Sequence, residues 1–155
     1  MAVAPLLRFK AGLLLSLAVL AGSLTQAENL HQGSLESPSY VAQIQAHTGE
    51  ELTEILRRID NLYERGERYP QSNPVALVLH GDEANLFLRQ NYSENKEIVD
   101  LAARLDAFNA IDIQVCETWM GFSSVPRTEL PAFVDTVPYG PAAEKALLEQ
   151  GYEYF

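Results

Sequence analysis

Apolar side chains between residues 52 and 63 fall at Leu52, Ile55, Leu56, Ile59, Leu62 and Tyr63. Steps of three and four put them on one helical face, so the spacing predicts an amphipathic helix. Thr48 stands where a cap is needed, and Gly66 where the helix must stop. The period then changes. Val75-Ala76-Leu77-Val78-Leu79 is an unbroken apolar run, the pattern of a strand buried on both faces of a parallel sheet. His80-Gly81 ends it, and Asp82 to Tyr92 reads as a partly helical connection. Ser93 reads as the N-cap of a second long helix, with Glu94 and Glu97 in its first turn. Its apolar stripe is Ile98, Leu101, Ala102, Leu105 and Phe108.

Further strands are predicted over Tyr40–Ala46, Ile111–Glu117, Phe133–Val137 and Tyr152–Phe155, with a turn over Gln71–Pro74. Pro141 opens a last helix and Gly151 closes it, proline early and glycine late. Strands alternating with helices at this spacing imply βαβ units: an α/β domain whose mostly parallel sheet is covered on both faces. No internal repeat interrupts the pattern.

The amino-terminal segment follows neither period. Arg8 and Lys10 precede an uncharged run, Ala11 to Leu24, of about 14 residues, whereas a membrane-crossing helix needs about 20. Thr25-Gln26-Ala27 offers small residues for cleavage before Glu28. The pattern predicts a secretory signal peptide over 1–27, a flexible lead-in over 28–38 and one domain over 39–155. The competing reading, an uncleaved membrane anchor, is disfavoured by the short apolar run. No cysteine follows the run to take a lipid, and no later segment is apolar enough to span a bilayer. The expected location is periplasmic or secreted, with no membrane embedding after cleavage.

Cleavage would remove two basic residues and no acidic one, moving the formal charge from −10 to −12. Nucleic acid and anionic membrane surfaces repel so acidic a chain, so neither is an expected partner. Good solubility accounts for most of that charge. Cys116 is the single cysteine, which excludes an intramolecular disulfide. An unpaired cysteine in an oxidising compartment is either buried and inert or a free thiol.

Sites in open parallel sheets gather at the carboxyl ends of strands. Two such ends carry chemistry here: His80-Gly81-Asp82-Glu83 and Cys116-Glu117-Thr118-Trp119. Alternation along the third strand puts Cys116 on the side of Asp112 and Gln114, opposite Ile111, Ile113 and Val115. Two readings of Cys116 stand: a buried small hydrophobe, or a nucleophilic thiol activated by a cation or a helix amino terminus. Ser123-Ser124 before Pro126 reads as such a helix start, and Arg127 is the nearest basic residue, while Glu117 opposes a thiolate. His80 is either a hydrogen-bonded structural residue or a general acid/base. Asp82 and Glu83 read as solvated loop residues and helix-start charges, and His31 and His47 as surface residues with no metal spacing. HExxH, CxxC and P-loop patterns are absent, Gly-Phe-Ser-Ser at 121–124 is not a nucleophile elbow, and no metal or cofactor is expected. Asn91-Tyr92-Ser93 matches a glycosylation sequon.

The ordered segments "LVLHG", "IDIQVC", "AFVDTVPYG" and "QGYEYF" resemble the DsrE/DsrF-like family, over roughly Tyr40 to Phe155. The resemblance implies a three-layer α/β/α fold with a five-stranded parallel sheet. Some members, the TusD-like sulfur-relay subunits among them, carry sulfur as a persulfide on a cysteine, and Cys116 matches that position. Taken with the predicted signal peptide, the resemblance implies a periplasmic sulfur-handling protein, a sulfurtransferase-like carrier with a sulfur donor or acceptor protein as partner and homo-oligomerisation. His80 would line the site, the backbone at Ser123 and Ser124 would stabilise negative sulfur, and Trp119 and Phe122 would form a ligand wall. Two departures stand out: the carriers are cytoplasmic, and Trp119-Met120 stands where smaller residues are common. The alternative is a non-catalytic ligand-binding or assembly module that keeps the fold, with Trp119, Phe122, Tyr139 and Tyr152 as contacts. Accessibility of Cys116 beside a helix start favours the carrier; enclosure by apolar side chains favours the module.

Overall fold

The computed structural model describes residues 38–66 and 73–155. The predicted signal peptide, the lead-in up to residue 37, His31 and part of the turn at 71–74 lie outside them. The described chain forms β1 (Tyr40–Val41), α1 (Gly49–Glu64), β2 (Val75–Leu79), α2 (Tyr92–Ala107) and β3 (Ile111–Cys116). There follow α3 (Glu117–Phe122), β4 (Val134–Val137), α4 (Gly140–Glu149) and β5 (Glu153–Tyr154). The five strands lie in the order β4-β3-β2-β1-β5, and every pairing is parallel.

Register explains which side chains form the core. Val75, Leu77 and Leu79 pair with Ile111, Ile113 and Val115, so all six share one sheet face. Onto that face pack Leu52, Ile55, Leu56 and Ile59 of α1 and Ile98, Val99, Ala102 and Leu105 of α2. Burial of each such side chain contributes about 1.5–3 kcal/mol. Val41, Ala76 and Val78 point the other way, beneath α4. Handedness accounts for the division. The steps β1→β2→β3 run in one direction, so right-handed crossovers put α1 and α2 on one face; the return from β4 to β5 puts α4 on the other. The architecture is three-layered α/β/α with unequal outer layers: four residues are buried in each of α1 and α2, but only Gly140 in α4.

Several expected boundaries shift for local reasons. The first strand stops at Val41, well short of Ala46, because the amides of Gln45, Ala46 and His47 turn to the Glu51 carboxylate at 2.9, 2.9 and 3.0 Å. The second long helix starts at Tyr92, one residue before the expected Ser93 cap, because a 3-10 turn over Arg89–Asn91 runs straight into it. Phe108 lies at that helix's end and is 61% exposed, so it does not join the stripe. Thr48 caps α1 as expected, its hydroxyl accepting from Glu51 N at 3.2 Å. Gly66 and Gly151 end their helices at φ 71° and 92°, where a side chain would be strained. Among the described residues no helix is long and apolar enough to cross a membrane.

Candidate functional site

The carboxyl ends of neighbouring parallel strands bring three side chains to one edge of the sheet. The loop after β1 supplies His47, β2 ends in His80, and β3 ends in Cys116. The first turn of α4 meets the last two.

Cys116 is paired with Val137 and is 2% exposed, on the α4 face as its parity predicts. Its Sγ accepts a hydrogen bond from Gly140 N at 3.2 Å. Gly140 is the first residue of α4, so this amide has no partner within its own helix. The sulfur takes that donor, at the positive end of the helix dipole. Thr118 donates its hydroxyl to Pro138 O at 2.9 Å, so the Pro138–Gly140 turn is clasped over the thiol from both ends. Gly140 also packs on His80: a Cβ there would lie 2.9 Å from His80 Cβ and 3.1 Å from its Cδ2.

His80 stands against His47, ring centroids 4.3 Å apart and planes inclined by 50°. His47 Nδ1 lies 3.2 Å from Glu83 Oε1. A carboxylate only accepts, so Nδ1 is assigned the proton in that bond. Glu83 stands in the first turn of a 3-10 helix over Asp82–Phe87, as a helix-start charge, but it is completely buried and not solvated as expected. Its Oε1 also accepts from His80 N at 2.8 Å and Gly81 N at 3.0 Å, which holds the carboxylate inside the fold. Its Oε2 has no hydrogen-bond partner among the described residues. Gly81 makes the approach feasible, since a Cβ there would sit 2.6 Å from His47 Cβ and 2.7 Å from Glu83 Oε2.

His47 is likewise not the free surface residue expected. Its side chain is 30% exposed, and its backbone is left-handed, φ 53°. A non-glycine residue is strained there and persists only where its surroundings hold it. Glu51 takes its amide, Glu83 N donates to its carbonyl at 3.1 Å, and the Glu83 carboxylate takes its ring.

The remaining candidates lie elsewhere. Ser123 and Ser124 do not start a helix: they follow the end of α3, which begins immediately after Cys116, and Ser124 is left-handed at φ 55°. Arg127 serves the crossover before β4 and not the thiol, its guanidinium donating to Leu130 O, Pro131 O and Val134 O. Glu117 is exposed and accepts from Thr136 Oγ1 at 2.8 Å. Trp119 packs partly against the core, while Phe122 is 88% exposed. Near the start of β3, away from Cys116, burial raises the Asp112 carboxyl above the usual carboxylate range; the Gln114 hydrogen bond opposes this, and Asp135 and Asp106 add to it. A separate cleft of about 440 Å³ opens between α2 and the chain before β4, lined by Phe87, Arg89, Tyr92, Val99 and Phe133 among others, and by none of the residues at the sheet edge.

The fold and edge site together define an α/β/α protein with a thiol at a helix start beside a carboxylate-held histidine pair. No family model matches the sequence, and no curated protein matches it. Among solved structures, this chain is similar to a protein of unknown function, MTH1491 from Methanobacterium thermoautotrophicum, with a TM-score of 0.50 at 16% identity. The match covers 75% of this chain and 93% of that one. At that identity the likeness concerns the fold alone.

Proposed function

We propose that this is an exported sulfur-handling protein of the DsrE-like kind, holding sulfur as a persulfide on Cys116. The observation that carries the reading is the 3.2 Å hydrogen bond from Gly140 N to Cys116 Sγ. A donor at a helix start favours negative charge on the sulfur it faces, and the thiolate is the attacking form. The step is an exchange between sulfurs. The Cys116 thiolate attacks the outer sulfur of a hydropersulfide donor, R–S–SH. The donor's S–S bond breaks, a new S–S bond forms on Cys116, and R–S⁻ leaves to take up a proton. Nothing is oxidised or reduced overall. His80 lines the edge, and the Pro138–Gly140 turn must move aside for the donor. The donor or acceptor is another protein, and the exposed Phe122 and Tyr139 are the surfaces for a homo-oligomer.

Intact-mass spectrometry after incubation with a polysulfide or hydropersulfide tests the reading, with Cys116→Ser alongside. A gain of about 32 Da per sulfur that vanishes in the variant is the expected result. No adduct, together with no alkylation of the folded protein by iodoacetamide, refutes it. Export requires the mature chain to begin at Glu28, which amino-terminal sequencing of periplasmic protein decides. A second reading, a non-catalytic ligand-binding module, is favoured by the cleft beside α2, whose apolar walls, with Arg89 and Asp100 among them, suit a small molecule with an apolar body.

A further inference from the structure

We infer that His47 is the acid that protonates the departing thiolate in that exchange, and that Glu83 is the residue that positions it; this rests on the persulfide reading above. Three independent observations point to His47. Its backbone is held in a strained left-handed conformation by contacts to both its amide and its carbonyl. Its ring is tied to a wholly buried carboxylate whose second oxygen has no partner among the described residues. Gly81 leaves room for His47, where a Cβ would lie 2.6 Å from His47 Cβ, and Gly140 leaves room for the neighbouring His80. A solvated histidine needs none of this.

The arrangement has a direction. Glu83 accepts from Nδ1, so Nε2 is the nitrogen left to hold a transferable proton. The carboxylate holds the ring's orientation and fixes its tautomer, the role of the acid in carboxylate–imidazole catalysis. Gly140, which covers Sγ, packs on His80, and His80 on His47, whose side chain is 30% exposed, so the gap left when the turn over the thiol opens adjoins the histidines. A donor admitted when the Pro138–Gly140 turn moves aside meets Sγ next to His80, and next to His47 behind it. In-line attack puts its leaving sulfur two S–S bonds, about 4 Å, from Sγ on that side. The imidazolium then gives its Nε2 proton to R–S⁻, leaving R–SH and neutral His47, which is recharged from solvent.

The test compares two donors, an alkyl hydropersulfide and an aryl hydropersulfide. The alkyl thiolate is a basic leaving group that needs the proton; the aryl thiolate departs without it. His47→Asn is the variant, because asparagine tolerates the left-handed backbone. Sulfur uptake by Cys116, followed by mass, is expected to fall about 10²-fold with the alkyl donor and by less than about threefold with the aryl donor. Glu83→Gln should move both rates in the same directions, by less. Iodoacetamide alkylation of Cys116 needs no acid and should stay within about threefold of wild type. Equal losses with both donors would mark a merely structural role and overturn the inference while sparing the persulfide reading, as would no loss at all. No uptake by the wild type from either donor overturns both.

Discussion

Gly140→Ala adds one methyl group where the site has no room. The new Cβ would lie 2.9 Å from His80 Cβ and 3.1 Å from its Cδ2. Carbon atoms rest about 3.5–4.0 Å apart, so α4 or His80 must retreat by roughly half an ångström or more. The nearest neighbour is itself a Cβ, one bond from the backbone, and no change of rotamer moves it. Overpacking of this kind costs about 1–3 kcal/mol. Alanine recovers about 0.4–1 kcal/mol by restricting the unfolded chain. The expected net loss is about 1–2 kcal/mol, a fall of roughly 1 M in the urea midpoint for a domain of this size. The same retreat lengthens the Gly140 N···Sγ contact and loosens the turn over Cys116, so native-state alkylation of the thiol should speed up several-fold. Gly121→Ala is the control: nothing lies within 4 Å of its Cβ position, in α3. It should be neutral or stabilising by up to about 1 kcal/mol, with alkylation unchanged. A Gly140→Ala protein as stable as wild type, with unchanged alkylation, would refute the packing argument.

Three other perturbations probe the same framework. Glu83→Ala leaves two backbone amides and the His47 ring without their buried acceptor, and chemical denaturation should register a loss of about 2–4 kcal/mol, against a smaller one for Glu83→Gln; a loss under about 0.5 kcal/mol would contradict the buried bonds. Asp112→Asn should stabilise at pH 7, because the wild-type carboxyl titrates above its unfolded value and its ionised form is disfavoured by the fold. That cost is fully present above the folded pKa and is relieved as pH falls through it, so the variant's advantage should shrink toward about pH 3.5; an advantage growing on acidification would reverse the sign. Leu77→Ala, at a wholly buried position in the central strand, should cost about 2–5 kcal/mol in the same denaturation assay, and a cost under about 1 kcal/mol would count against the assigned core face.

Much of the fold was legible because periodicity reports burial directly. The apolar run Val75–Leu79 has the bounds of β2, since a central parallel strand is covered on both faces and tolerates no polar interruption. The helical spacing from Leu52 to Ile59 marks the residues of α1 that meet the sheet. Boundaries set by side-chain capture of backbone amides were not legible. Nothing in Tyr40–Ala46 announces that a carboxylate in the following helix takes the amides a ladder would have used.

The site divides in the same way. Strand ends pointed to Cys116 and His80, because topology alone puts them on one edge. The helix start that meets the thiol was expected at Ser123-Ser124 but comes from α4, which is 24 residues from Cys116 in the chain. His47 and Glu83 are 36 residues apart, and their pairing depends on two loop conformations that no periodicity encodes. The signal available was Gly81 itself, a residue without a side chain between a histidine and a carboxylate.

The unequal layers decide whether a buried Cys116 can carry the proposed reactivity. The face holding α1 and α2 is sealed by four buried residues from each helix, whereas α4 buries only Gly140. Segments with few buried apolar contacts open at far lower free energy than the global fold. The first turn of α4 therefore opens before the core does, and its opening uncovers the thiol. Under the proposed function, burial sets the rate of the exchange and does not forbid it. Alkylation of Cys116 should accordingly be almost insensitive to low urea, as expected for a small local opening, and become steeply urea-dependent only near the global transition. Steep dependence from the lowest urea upward would mean that only the unfolded chain reacts. In that event Cys116 is a packing residue, and the cleft beside α2 becomes the stronger basis for a functional proposal.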